Sequence, residues 1–572
     1  MRMINLVLAS LMAGLAMLGG AGCAEPEGSA DDEYGMEGPV ETVPAPGKDD
    51  SENRAGLPVG TNTTRTQVWT ARNAWEDRTT AVARKAGLAW SADSGLSWDE
   101  KFGAWVQSLA WIPSVDGYRT TFQLTTPWGK TLPSPSLECA EMAMFLRITF
   151  AAWYELPLQL EAVSGGKRVY FGHYGVRTAA GRFANTPEFA LAYKDFTGRD
   201  PSLPWPKDAT LRNRRLWGGE DSQEALGAGA VFGAYVDELH LNKRAGYFTM
   251  LTINYLGSMN LADTANTYNI VPDAVRAGDV LVERWQSQGI GHTLVVKDVT
   301  AIGEGNLDVT TVSGSMPRRQ GMRDTGLASK SYFTSNYAGG VGLSGEGIPY
   351  ARLGGGVKRF RVTKNIGGIW TNTWMRTDES SWINSTDLTR IGARPARFAA
   401  ILGQVSPAQQ KTELLSIIAD ARRHLRSYPA SCTARERREA AFSDLYALGE
   451  RSLGLTRAGI DAEYRLLEDD VFAELTYADS KTCCWNSTTA AMASIVLAKA
   501  EAEVAAAEAA STCVAPTVFR AHTDGYAQWA AYATATGQGA AWRPWTEDES
   551  CPQANVAEDT QALSEATPFC ER

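Results

Sequence analysis

The chain has 572 residues, 44% hydrophobic and 21% charged, which is more than one hydrophobic core accommodates, so two or three domains are expected. Its net charge is −10, and residues 24–54 alone hold ten acidic side chains against Lys48 and Arg54. The remainder is close to neutral, which leaves no basic footprint for nucleic acid and argues against that class of partner.

Residues 1–23 read MRMINLVLASLMAGLAMLGGAGC: one early charge at Arg2, an apolar run from Ile4 to Leu18, then small residues before Cys23. This is the pattern of a secretory signal, too short and too weakly flanked for a stable membrane span. Its Gly-Ala-Gly-Cys ending resembles a bacterial lipobox, with Gly20 where leucine is usual. That resemblance implies a lipid on Cys23, a membrane anchor, and a place in the cell envelope. Residues 24–59 come next, as an acidic tether expected to be disordered. No later run approaches the length needed to span a bilayer.

From residue 60 to about 389 the chain mixes helical and strand patterns. Helices are expected at 73–90 and 98–111, and late strands within 356–375. The segment SPSLECAEMAMFLRITFAAWYELP (134–157) reads as a packed helix. Ser136 is its expected N-cap, Cys139 lies in its first turn, and Met142, Phe145, Leu146, Thr149 and Trp153 form one stripe. A thiol among free N–H groups at the positive end of a helix favours thiolate. Of five histidines, His292 stands at the start of the middle strand of a meander, Val280–Val282, Thr293–Val299 and Leu307–Ser313. There it is the expected base for Cys139, with His173 in reserve. A turn at Gly303–Asn306 pairs Ile302 with Leu307, and continuing that register sets His292 against Pro317. Alternation then places Thr311, Ser313 and Ser315 on the histidine's face and Asp308 on the other. Ser315 or Ser313 is therefore expected to orient the imidazole.

A cysteine opening a packed helix, followed by GDVLV and GHTLVV on successive strands, resembles the papain-like thiol hydrolases, in particular the NlpC/P60 and CHAP branches. The resemblance implies an α+β papain-like domain with Cys139 as nucleophile, His292 as base, and Gly278–Asp279 opening the strand before the histidine. It implies amide hydrolysis, in peptidoglycan or surface peptides, and no cofactor. Leu156–Pro157 closes the helix much as in the transglutaminase-like branch, which would pass the acyl group to an amine. The long interval from Cys139 to His292 implies an insertion near 165–265. The tryptophan and Asp-Pro of transglutaminases are missing, and Thr311 to Ser315 stand where CHAP domains carry a glutamate. A third reading is a catalytically inactive surface lipoprotein that binds glycan or protein.

Residues 390–572 change character to helix after helix, with capping boxes expected at Ser406/Gln409 and Thr433/Glu436. Cys432, Cys483, Cys484, Cys513, Cys551 and Cys570 crowd into this part. An even set in an exported chain suggests a disulfide-stapled helical domain whose pairing sequence does not fix, and leaves Cys139 unpaired. TCCWNST makes Cys484 a rival nucleophile. No Cys/His spacing suits zinc, and LGGGVKRF lacks the phosphate-loop Lys-Ser/Thr and reads as a turn.

Overall fold

A computed structural model of the chain describes residues 56–58, 65–71, 96–115, 119–200, 202–287, 291–303, 305–375, 378–403, 407–427, 429, 431–472, 489–515, 517, 519 and 524–543. Cys23, residues 24–55, the helix expected at 73–90, and Cys483, Cys484, Cys551 and Cys570 lie outside them. The architecture is mixed α and β, and its sheets are built from antiparallel pairs. The chain divides into two compact units between Gly403 and Gln404. That is later than the boundary near 390, because Phe398 and Ile401 are buried in a core of the first unit. The folded part also begins inside the stretch read as tether: Leu57 and Pro58 pair with Trp370 and Ile369.

The first unit is built on a ten-stranded sheet. In chain order its strands are β1 (Ala110–Pro113), β2 (Thr120–Thr125), β3 (Thr131–Pro133), β4 (Thr267–Ile270), β5 (Val280–Arg284), β6 (Gly291–Gly303), β7 (Asn306–Ser313), β8 (Met322–Asp324), β9 (Gly356–Phe360) and β10 (Trp382–Ile383). Across the sheet they run β10, β4, β9, β5, β6, β7, β8, β2, β1, with β3 on β2. Its central strands are buried on both faces, so apolar residues run consecutively in them, as Val280–Leu281–Val282 and Leu294–Val295–Val296 do, rather than alternating with polar ones. Val280, Val282 and Val295 enter a first core with the helix Cys139–Trp153. Leu281, Leu294 and Val296 enter a second core with Phe333, Phe398 and Ile401.

Five helices among the described residues pack against this sheet, Ser258–Ala262 and the four that follow. α1 (Trp98–Ser108) starts with a reciprocal capping box between Ser97 and Glu100, and α2 is Cys139–Trp153. α3 (Gly326–Thr334) and α4 (Arg394–Ile401) carry the residues of the second core. Phe102 of α1 lies so close to Gly278 that a Cβ there would sit 3.0 Å from its ring, in a backbone of φ +87 that glycine tolerates. The span of the expected insertion holds a four-stranded meander, Gln159–Ser164, Lys167–Gly172, Gly175–Thr178 and Gly181–Arg182, then short helices.

Buried charge in this unit is largely paired. Arg147 of α2 meets Asp99 at 2.8 Å and Arg276 meets it at 2.6 Å. Arg359 grips Asp279 with two nitrogens, at 2.7 and 2.8 Å, and reaches Asp378 at 2.6 Å. Burial works against ionising Asp99, yet Arg147, Arg276 and Arg359 hold its pKa below the ordinary carboxylate value. At Asp279 burial prevails over Arg359 and Arg276 and pushes the pKa up. The Gly-Asp pair that opens β5 thus serves as an anchor between strands.

The second unit is helical over its described residues. α5 (Pro407–Ser427) and α6 (Cys432–Leu448) pack against each other, and α7 is Ala490–Ala509. The N-cap of α6 is Ser431, whose hydroxyl accepts from the Ala434 amide, two residues before the expected Thr433. Leu414, Ile418, Phe442, Leu445, Ile495 and Val496 are buried. Buried arginines join them: Arg465 pairs with Glu439 at 2.7 Å, and Arg438 pairs with Glu439 at 2.9 Å and with Asp469 at 3.3 Å. Burial opposes the charge on Asp469, but Arg438 and Arg422 depress its pKa.

Candidate functional site

Cys139 is the first residue of α2. Glu138 precedes the helix and donates its N–H to Glu141 at 2.9 Å, closing the first turn. Arg318 then clamps Glu141 with two hydrogen bonds, 2.9 and 2.8 Å. Ser136 is not the cap. It lies in a two-residue strand and pairs with Gln320. The Cys139 side chain is 0% exposed, and its Sγ lies 3.8 Å from the Gly291 carbonyl oxygen. It is disulfide-bonded, as is Cys513. The expectation of an unpaired thiol at Cys139 is therefore corrected. A sulfur held in a disulfide has no thiolate to offer a carbonyl carbon.

His292 lies on β6, one residue beyond the carbonyl that Cys139 touches, and this single step decides its direction. Side chains alternate faces along a strand. Leu294 and Val296 belong to the second core, and Val295 belongs to the first with Cys139. His292 shares parity with Leu294, stands opposite Glu283, and its ring centroid is 5.5 Å from that of Tyr332 on α3. The imidazole thus leaves the sheet on the face away from α2. Gly291 is the residue that faces Cys139. A Cβ there would lie 2.3 Å from the Glu283 carbonyl oxygen and 2.9 Å from Cδ of Arg284, so the space a base would need is filled. The structure does not bring Cys139 and His292 together.

Two of the remaining expected residues, Thr311 and Ser313, fall on the histidine's side. Observed pairs run Gly303 with Asn306, Ala301 with Leu307 and Val295 with Val312, with irregularities between Ala301 and Gly303 and between Val296 and Asp298. Each slip moves the register by one, and together they restore parity. Thr311 and Ser313 therefore share the face of His292, as alternation implies. Their hydroxyls, however, serve Asp324: Ser313 donates at 3.0 Å and Thr311 at 3.3 Å. Ser315 donates to the carbonyl of Met316 at 3.2 Å. Asp308 is exposed near the far turn. His173 is buried against Trp370 and Tyr174, 4.6 and 4.9 Å between ring centroids, and burial lowers its pKa to about 4. It is a neutral core histidine.

Sequence reading missed Arg284 and Lys358, buried on the face of Cys139. The available signal was a charge inside each of two apolar strands, VLVER and GVKRF. Among the described residues no group of His, Cys, Asp and Glu could hold a metal ion, and no helix is long and apolar enough to cross a membrane. No family model, curated protein or solved structure matches the chain.

Proposed function

We propose that the chain is an exported, lipid-anchored envelope protein whose first unit keeps a papain-like arrangement without Cys–His chemistry. The papain-like trait is a cysteine-headed helix laid across an antiparallel sheet. Its role in this reading is binding, to peptidoglycan or a surface protein, with the disulfide-bearing helical unit as spacer or contact. The observation that carries it is the direction of His292: Cys139 and the imidazole stand on opposite faces of one sheet, and Gly291 occupies the place between. General-base activation needs the base within hydrogen-bond reach of the thiol, and no rotamer of His292 crosses a packed sheet.

The test uses the full-length protein, its Cys139→Ala and His292→Ala variants, and purified peptidoglycan. The wild type should sediment with the polymer, before and after mild reduction, and release no new amino groups. The His292→Ala variant should sediment equally well. Iodoacetamide should label Cys139 only after reduction. Amide cleavage or amine transfer by the reduced wild type, lost in both variants, would overturn the proposal in favour of a thiol hydrolase or a transglutaminase-like enzyme.

A further inference from the structure

The sheet face covered by α2 also gathers buried cationic side chains that form no ion pair with a carboxylate among the described residues. Residues directly opposite each other on neighbouring strands project from one face. Val280 stands opposite Lys358, Val282 opposite Thr293 and Gly356, and Arg284 opposite Gly291. Val280 and Val282 belong to the first core, so Lys358, Thr293 and Arg284 share that face. Arg394 reaches the same place from the start of α4: a Cβ on Gly356 would lie 2.1 Å from its Nη2.

Each of these cations is buried, with Arg284 at 0% and Lys358 and Arg394 at 1% exposure. Arg284 donates from Nη2 to the carbonyls of Gln286 and Ser287, at 3.0 and 2.8 Å, and its Nε and Nη1 meet no acceptor. The buried hydroxyl of Thr293 also has no partner. Arg394 donates only to neutral oxygens: the carbonyls of Gly355 (2.6 Å), Val357 (2.8 Å) and Ile391 (3.3 Å), and the amide of Asn269 (3.3 Å). Burial depresses the Lys358 ammonium to about 7. Arg394, Arg361 and Arg284 add to that, and Asp263 opposes it. Burial likewise lowers Arg284 to about 10, against a contribution from Glu346, and Arg394 to about 9.

We propose that Arg284, Thr293, Lys358 and Arg394 form a binding site for a phosphate group. Buried cations without an ion-pair partner are costly, and the open donors of Arg284 and Thr293 on one sheet face are the complement of an oxyanion. Charge selects among oxyanions. A carboxylate brings one negative charge to three cations, whereas a phosphate brings close to two, with several acceptor oxygens for the unmatched N–H and O–H groups. This site goes beyond the binding role proposed above and stands whether or not Cys139 has chemistry.

Calorimetric titration of the full-length protein at constant ionic strength tests it, with inorganic phosphate, glycerol 3-phosphate and acetate as probes. Saturable one-site binding of phosphate or its ester is expected, the tighter of the two identifying a free ion or an esterified group. Acetate should give none. Arg284→Gln and Lys358→Met should weaken binding at least tenfold. Thr293→Val, nearly isosteric and uncharged, should weaken it by about threefold to tenfold and decides the matter if a charge variant does not fold. Absence of saturable phosphate binding, equal binding of acetate, or unchanged affinity in Thr293→Val and the folded charge variants would overturn the site.

Discussion

Lys358 and Arg359 are consecutive residues of β9, buried to nearly the same degree on opposite faces of one sheet. Arg359 meets Asp279 and Asp378 and donates to the Ala274 carbonyl at 2.8 Å. Lys358 makes no ion pair among the described residues; the fields of Arg394, Arg361 and Arg284 oppose its charge, and that of Asp263 favours it. Both residues bear the desolvation cost of burial, but only Arg359 recovers it through pairing. The consequence appears in their pKa values. Burial lowers both, yet Asp279 and its neighbours raise the Arg359 value well above the ordinary one, whereas the Lys358 value falls to about 7. Paired buried charge joins strands. Buried charge left unmatched in a folded core marks a place where something is expected to bind.

The sharpest way to break this contrast is to truncate each residue. Arg359→Met leaves two buried aspartates without their cation, and loss of one partner of such a pair costs about 3–5 kcal/mol. Chemical denaturation should therefore show the variant strongly destabilised or unfolded. Lys358→Met removes an unmatched charge while keeping the volume, and in the absence of ligand it should raise stability, because a buried charge without a partner is costly. A Lys358→Met variant as damaged as Arg359→Met would show that the two sites do not differ.

Titration sharpens the same comparison with a smaller effect. The folded pKa of Lys358, about 7, lies below its ordinary value of 10.5. Between those two values the unfolded chain holds a proton that the folded chain does not. Stability then rises with pH, because it does so wherever the unfolded state binds more protons. Below about pH 7 the penalty of the buried charge is present in full, and above pH 10.5 this contribution no longer changes. Denaturation curves from about pH 6 to 10 should show the wild type gaining on Lys358→Met across that window. Parallel curves for the two proteins would mean that Lys358 is not titrating there.

How much of this was legible can be traced on two strands. The meander was readable because its turn, GEGN, and its apolar runs are short-range signals: strands expected at 280–282, 293–299 and 307–313 are found at Val280–Arg284, Gly291–Gly303 and Asn306–Ser313. Alternation also told which residues share a face with His292. It did not tell which face α2 lies against. Leu294 and Val296 are as apolar as Val295, so a strand buried on both sides carries no mark of its partner. The expected Cys–His pair failed at that point, by one residue. The disulfide at Cys139 was hidden for a different reason, because cysteine counting assumes that neighbours in sequence pair with one another.

The smallest expected effect separates the two serines that the sequence pattern assigns to the histidine's face. Ser313 is buried and donates to the Asp324 carboxylate, whereas Ser315 is half-buried and donates to the carbonyl of its own neighbour. A buried hydrogen bond to a charged acceptor contributes about 1.5–3 kcal/mol, and its loss leaves the carboxylate less satisfied. Thr311 still donates to the same oxygen at 3.3 Å, which puts Ser313→Ala at the lower end of that range. Ser315→Ala gives up a local contact next to solvent and should stay within about 0.5 kcal/mol of wild type. If these serines oriented a catalytic imidazole, Ser315→Ala would instead lower activity while leaving stability unchanged. Melting curves of the two variants, measured beside a peptidoglycan-release assay, separate a hydroxyl that supports Asp324 from one that serves a base.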